Sequence, residues 1–213
     1  MKIKICGLKD PGNIKAVSAL EPDYMGFICY GPSPRFVSEV SLESLKDIPD
    51  SIFKTAVFVN ESTERINNLI DQYNFNAIQL HGDESPEFCN SFKNKVSVIK
   101  AFGLNSDFNF EQLTAYKNKV DLFLFDTKTN IHGGSGKTFD WSILNKYKLD
   151  VPFFLSGGLS LDNIEEIRNI NHSQFYGVDL NSKFETEPGI KSIEKLEKAF
   201  DIIRQNISNE LRS

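Results

Sequence analysis

Cysteine, methionine and tryptophan are scarce in this sequence, with three, two and one residues in 213. The three thiols, Cys6, Cys29 and Cys89, are odd in number and show no C-x-x-C spacing, so neither a disulfide framework nor a zinc site is indicated. Long apolar runs are absent too. Nothing approaches the ~18 consecutive apolar residues of a membrane-spanning helix, so no membrane partner is expected. The chain opens on the charged alternation Lys2-Ile3-Lys4-Ile5 without the apolar core of a secretory signal, and a cytoplasmic location is expected. An excess of positive charge is lacking. The 24 Lys and Arg face 29 Asp and Glu, a formal charge of −5, which offers no broad field for a phosphate backbone and argues against nucleic acid as a partner. No linker, low-complexity tract or composition break divides residues 1–213, which read as one domain. A chain of this size buries roughly 70% of its unfolded surface, enough for a core without covalent or metal staples. Small molecules remain the expected ligands.

What the sequence does contain is a recurring unit. Short runs rich in β-branched and aromatic residues are each followed, after a Gly- or Asp-bearing loop, by a longer amphipathic segment. The pattern predicts strands at 2–6, 24–28, 53–58, 77–81, 98–102, 122–126, 153–156 and 177–180. Helical patterns fall at 11–20, 42–48, 62–73, 85–93, 110–116, 142–147 and 161–170, with a last one from Lys191 to about Asn206. Eight units in 213 residues is about 27 residues each, compact but near the size of an α/β fold of the single-domain (β/α)8 TIM-barrel type. A doubly wound open sheet is the rival. It usually carries G-x-G-x-x-G after the first strand, and Cys6-Gly7-Leu8-Lys9-Asp10-Pro11-Gly12 does not fit.

Parallel strands covered by helices should be almost continuously apolar, and several here are not. By the two-residue period, Lys4 and Cys6 share a face of the first strand and Gln79 and His81 a face of the fourth. Asp126 closes the face of Leu122 and Leu124, and Asp179 follows Gly177. All but Lys4 sit late in their strands, at the end where barrels build active sites. Each has a plainer reading: Cys6 as a small buried hydrophobe, the Asp residues as turn caps, His81 as a hydrogen-bonded loop residue. Cys29 and Cys89 are read as structural.

Two glycine-rich stretches stand out. Ile131-His132-Gly133-Gly134-Ser135-Gly136-Lys137-Thr138 ends like a P-loop but has Ile131 where that motif needs glycine, and it reads better as a flexible loop over the site. Ser156-Gly157-Gly158-Leu159-Ser160 follows the seventh strand directly and leads into a helical pattern. Its bare N–H groups can bind an oxyanion, paired with Asn181 and Ser182 after the eighth strand, or the glycines serve only a tight turn.

With these residues placed, the chain resembles the phosphoribosylanthranilate isomerase family over nearly its full length. The resemblance rests on Lys4-Ile5-Cys6-Gly7-Leu8, Gly26-Phe27 with Ser33-Pro34-Arg35, Val57-Phe58-Val59-Asn60 and Gln79-Leu80-His81-Gly82-Asp83-Glu84. It continues in Gly133–Gly136 with Phe139-Asp140-Trp141, in Gly157-Gly158-Leu159, and in Gly177-Val178-Asp179 with Glu185 and Pro188-Gly189. It implies an Amadori rearrangement of N-(5-phosphoribosyl)anthranilate to 1-(2-carboxyphenylamino)-1-deoxyribulose 5-phosphate, with no cofactor and no metal, in a monomer or homodimer. It also implies Cys6 as general base, Asp126 as general acid and Arg35 as partner of the anthranilate carboxylate. His81, Asp179, Gly157, Gly158, Asn181 and Ser182 complete the expected substrate-binding set. One departure is visible: the family commonly shows Ser-Ser-Gly-Val-Glu after the aspartate, and this chain has Asn181-Ser182-Lys183-Phe184-Glu185.

A thiol acting as base wants a nearby positive charge. Lys4, about 6.6 Å from Cys6 along the same strand face, either supplies it or pairs with a buried carboxylate. Other phosphosugar barrel enzymes share the paired phosphate loops. An indole-glycerol-phosphate synthase would be expected to place Lys and Glu on early strands, and a histidine-pathway isomerase Asp where this chain has Cys6. A non-catalytic binding barrel would need neither Cys6 nor Asp126.

Overall fold

In the computed structural model, which describes residues 1–37, 42–127 and 141–210, the apolar runs form eight parallel strands that pair in sequence order. They are β1 (Lys2–Cys6), β2 (Tyr24–Ile28), β3 (Phe53–Phe58), β4 (Ala77–Leu80), β5 (Ser97–Leu104), β6 (Leu122–Thr127), β7 (Phe153–Ser156) and β8 (Phe175–Leu180). β8 returns to β1, with Lys4 opposite Asp179, and the ring closes, leaving no unpaired sheet edge. Half of the predicted strands have the observed limits. β5 runs longer than predicted because Ser97 pairs with Ala77 at its start and Gly103 and Leu104 continue the ladder against Asp126 and Thr127. β4 ends at Leu80, one residue before His81.

Alternation along each strand sorts side chains to two sides of the ring. Outward residues such as Ile5, Ile78, Leu80, Phe123 and Leu155 form the core layer beneath the helices. Inward residues at the N-terminal end, Tyr24, Ile99, Leu122, Leu124 and Phe154, form a smaller apolar plug. The plug closes the bottom of the barrel. Above it the buried interior turns polar, with Lys4, Thr55, Gln79 and Asp179.

Four of the helical patterns give α-helices: α1 (Pro11–Ser18), α2 (Leu42–Lys46), α3 (Thr63–Tyr73) and α4 (Pro86–Asn90). α1, α3 and α4 start on side-chain caps: Asp10, Ser62 and Ser85 each accept a bond from the backbone N–H three residues on. The patterns at 110–116, 142–147 and 161–170 instead give 3₁₀ segments, Phe110–Tyr116, Trp141–Lys146 and Ile164–Asn169. Their bonds are of the tighter i→i+3 kind that short helical pieces commonly use. The final pattern needs a correction. Lys191 lies outside the helix, in an antiparallel hairpin of β9 (Glu185–Glu187) and β10 (Ile190–Lys191) that turns at Pro188-Gly189, with Gly189 at φ +91°. The last helix, α5 (Ile193–Glu210), begins two residues later. The eighth loop needs no glycine at Lys183, which sits inside the right-handed 3₁₀ turn Ser182–Phe184. Among the described residues no helix is long and apolar enough to cross a membrane.

Closure puts an unusual demand on Gly177. A Cβ there would lie 2.1 Å from the carbonyl oxygen of Lys2 and 2.7 Å from its carbon, both backbone atoms of the partner strand. Gly177→Ala should therefore force the β8–β1 seam apart and cost about 3 kcal/mol. Gly31→Ala, whose Cβ would meet nothing within 4 Å, should be nearly neutral. Equal urea midpoints for the two variants would show that the seam is not under this constraint.

Candidate active site

The polar upper interior leads into a cavity of about 210 Å³ at the C-terminal ends of the strands. Cys6 from β1, His81 after β4 and Asp126 from β6 face it. So do Asp179 from β8, the Gly157-Gly158 turn after β7, and Asn181 with Ser182 after β8. Each expected catalytic or substrate-binding residue except Arg35 lines this one space, and Lys4 is not on its lining. The glycine-rich stretch Gly133–Gly136, with Phe139 and Asp140, lies outside the described residues.

Lys4 and Cys6 are both buried and lie together over Gly26, where an added Cβ would meet Cys6 Sγ at 2.8 Å and Lys4 Nζ at 3.2 Å. The two readings of Lys4 thus coexist. Its ammonium donates to Asp179 Oδ1 at 3.0 Å, with the two side chains 0% and 5% exposed. Burial pulls the Lys4 ammonium down, but Asp179 and Cys6 outweigh it and its pKa stands above the ordinary lysine value. Cys6 departs from expectation. Burial pushes its thiol up, Asp179 adds to that, and the pull of Lys4 and Lys191 does not overcome them, so its pKa stands above the ordinary cysteine value.

His81 packs between Gln79 and Asp126, with Nδ1 3.2 Å from Gln79 Nε2 and Nε2 3.7 Å from Asp126 Oδ2. Burial lowers its pKa, the two Asp carboxylates oppose that, and Lys100 and Lys4 reinforce it, leaving a neutral imidazole near pH 7. The loop carrying His81 is fastened from behind. Lys100 Nζ donates to the carbonyls of Leu80, Gly82 and Ala101 at 3.3, 2.8 and 3.0 Å and sits 3.2 Å from Glu84 Oε2. The Glu84 carboxylate accepts from the N–H groups of Asn60 and Gly82.

The Gly157-Gly158 turn expected to bind an anion lies on the cavity lining. Gly157 and Gly158 both adopt positive φ, +86° and +67°, and neither N–H donates to a backbone carbonyl among the described residues. Thr127 Oγ1 donates to the carbonyls of Ser156 and Gly157, each at 2.9 Å, and tucks the turn against β6. A Cβ on Gly157 would fall 2.2 Å from Thr127 O, so glycine is required there by close approach as well as by φ. The expected helix N-terminus is not behind this turn. The next helical segment is short, 3₁₀, and starts only at Ile164, so the donors are loop amides without a helix dipole.

Arg35 lies off the cavity lining, and its fork is half occupied. Nε donates to Glu185 Oε1 and Oε2 at 2.9 and 3.0 Å, and Nη2 to Oε2 at 2.6 Å. Glu185 also accepts from Lys191 Nζ at 2.7 Å and Gly189 N at 3.1 Å. Burial pushes the Glu185 carboxyl up, but these donors outweigh it and bring it down to about 2. Lys100, Lys191 and Thr127 were not among the expected site residues. Lys100 carries the signal that exposed Lys4, a lysine within the apolar run Val98-Ile99-Lys100-Ala101-Phe102. Lys191 carried none, because its position depends on the hairpin.

The depressed Glu185 carboxyl has a sign. A group whose folded pKa lies below its ordinary 4.5 contributes stability above that value and loses it as pH falls toward about 2. The stability gap between wild type and Glu185→Gln, read from urea midpoints, should therefore narrow as pH drops from 4.5 toward 2. A gap that stays constant over that window would contradict it.

The family model described as N-(5'-phosphoribosyl)anthranilate isomerase matches residues 3–202. A protein of Parabacteroides distasonis named N-(5'-phosphoribosyl)anthranilate isomerase is 46% identical over 199 residues, which is 92% of this chain and 90% of its own. Among solved structures, phosphoribosyl anthranilate isomerase from Thermotoga maritima is 31% identical with a TM-score of 0.81, covering 96% of this chain and 99% of its own. Another is described as phosphoribosyl anthranilate isomerase in complex with reduced 1-(o-carboxyphenylamino)-1-deoxyribulose 5-phosphate. It has a TM-score of 0.79 and 27% identity, covering 96% of this chain and 99% of its own. The closed barrel, the 46% identity over 92% of the chain and a model match over residues 3–202 leave one conclusion: this chain belongs to the N-(5'-phosphoribosyl)anthranilate isomerase family.

Proposed function

We infer that the chain isomerises N-(5'-phosphoribosyl)anthranilate, an aminoaldose, to the aminoketose 1-(2-carboxyphenylamino)-1-deoxyribulose 5-phosphate in tryptophan biosynthesis, with Cys6 as general base and Asp126 as general acid. The observation that carries this reading is the placing of a buried thiol and a carboxyl group on one small cavity whose lining also includes the Gly157-Gly158 turn. Asp126 in its acid form donates to the furanose ring oxygen, and the ring opens to a Schiff base. The Cys6 thiolate takes the proton from sugar C2, giving an enolamine that tautomerises to the ketone. The rearrangement is redox-neutral overall, so no external oxidant or reductant enters it.

The remaining residues take positions along the substrate. Gly157, Gly158, Asn181 and Ser182 bind the phosphate through backbone and amide donors. Arg35 meets the aromatic carboxylate with the edge of its fork that Glu185 leaves open. Neutral His81 beside Asp126 donates a hydrogen bond, and Asp179, with Oδ1 on Lys4, accepts a sugar hydroxyl at Oδ2. On this reading the enzyme works in the cytoplasm, as a monomer or homodimer.

Generating the aminoaldose in situ from anthranilate and phosphoribosyl pyrophosphate with its transferase, and following anthranilate-type fluorescence, tests the activity. The signal should decay only when the protein is added. Cys6→Ser and Asp126→Asn should each lower kcat about a thousandfold with KM little changed, since each removes a proton transfer made only in the transition state. Because the reacting form needs Cys6 ionised and Asp126 protonated together, kcat/KM should be bell-shaped in pH, falling at low and at high pH. A fully active Cys6→Ser would sink the assignment.

A further inference from the structure

Lys191 reaches the site from the β9–β10 hairpin with a side chain wholly shielded from solvent. Its Nζ donates to Asn181 Oδ1 at 2.8 Å and to Glu185 Oε1 at 2.7 Å. Its backbone is pinned on both sides by Asn13 of α1, whose Nδ2 donates to Lys191 O at 2.9 Å and whose Oδ1 accepts from Lys191 N at 2.8 Å. Two lines of contact therefore leave one fixed ammonium. The first runs through Glu185 to Arg35, and the second ends on Asn181. Arg35 and Asn181 themselves converge on Gly7, where a Cβ would lie 2.7 Å from Arg35 Cδ and 2.8 Å from Asn181 Oδ1.

The chemistry of an ammonium decides what this arrangement does. It has donors only, so the amide atom facing it is the oxygen, and the Asn181 NH₂ is turned the other way with both its protons to give. Lys100 offers the contrast. That buried lysine gives its bonds to three backbone carbonyls and so fastens a loop. Lys191 gives its bonds to two side chains, one in the loop after β8 that lines the cavity and one that holds Arg35.

We propose that Lys191 is a positioning residue that sets both ends of the site at once: it turns the Asn181 amide toward the substrate phosphate and, through Glu185, holds Arg35 in place for the aromatic carboxylate. The inference rests on the isomerase reading for the identity of the two ends.

Calorimetric titration of inorganic phosphate and of anthranilate, each alone, tests it without turnover. In Lys191→Met, which removes the donors and keeps the bulk, both dissociation constants should rise about tenfold. Asn181→Ala should weaken phosphate alone. A lysine that merely stabilised the fold would lower the number of competent sites and leave both constants where they were, and that result overturns the proposal, as does a change at one end only. In turnover the loss should fall on KM, with kcat within threefold of wild type. Should Lys191→Met fail to fold, Glu185→Gln carries the same test. It strips Lys191 of its counter-charge, so phosphate should weaken at least threefold although Glu185 lies off the phosphate loop. Phosphate affinity equal to wild type would overturn the coupling. A wild-type protein that binds both ions yet leaves the fluorescence of the aminoaldose unchanged would sink the isomerase reading and not this one.

Discussion

The ion pair between Lys4 and Asp179 is the contact on which the rest of the structure depends. The two residues are 175 apart in the chain and meet only because β8 closes against β1. Placing both charges inside the barrel carries a large desolvation penalty that each offsets for the other, so neither is tolerated alone; removing one partner of such a pair costs about 3–5 kcal/mol. Closure is thereby tied to the site. The same pair sets the field around Cys6: the ammonium draws the thiol toward ionisation while Asp179 and burial oppose it.

Three buried lysines, each with a carboxylate, organise three different parts of the active face. Lys4 with Asp179 holds the seam, Lys100 with Glu84 holds the loop of His81, and Lys191 with Glu185 joins the eighth loop to Arg35. Each lysine sends its remaining donors to loop or site atoms, so burial strengthens bonds that water would otherwise exchange. The apolar plug below and the polar layer above divide the labour. Tyr24, Ile99, Leu122, Leu124 and Phe154 make the bottom of the barrel rigid, and the site is built on that floor.

Behind β6 and β7 the outer core is unusually aromatic. Tyr147 packs edge-on against Phe125 and Phe153 at 5.3 and 5.5 Å between ring centres, and Phe125 lies 5.0 Å from Phe153. The Tyr147 hydroxyl is satisfied by the carbonyl of Val151 at 2.6 Å. Large interlocked rings leave little rotamer freedom, and the strands they support carry Asp126 and the Gly157-Gly158 turn. The short 3₁₀ segments on this side are adequate because the aromatic layer, more than helix length, holds them to the sheet.

Much of the site was legible before any fold was known. Polar side chains where a parallel strand should be apolar marked Lys4, Cys6, Gln79, Asp126 and Asp179, and the two-residue period put each on the inner face. The Gly157-Gly158 turn was legible because backbone approach leaves glycine as the residue that fits. Lys100 bore the same mark as Lys4, yet its face points outward, and its role depends on Glu84 in a neighbouring loop. The hairpin from Glu185 to Lys191 stayed hidden because its few residues have no period of their own, and its last residue, Lys191, read as the start of the final helix. Local pattern determined which residues are strand, which face they take and which are chemically out of place there. Only the tertiary structure decided which charge meets which, because Arg35 finds Glu185 across 150 residues and Lys4 finds Asp179 across 175. Pairing over such separations is set by barrel closure and by the desolvation of the charges it buries, and neither has a local signature in the chain.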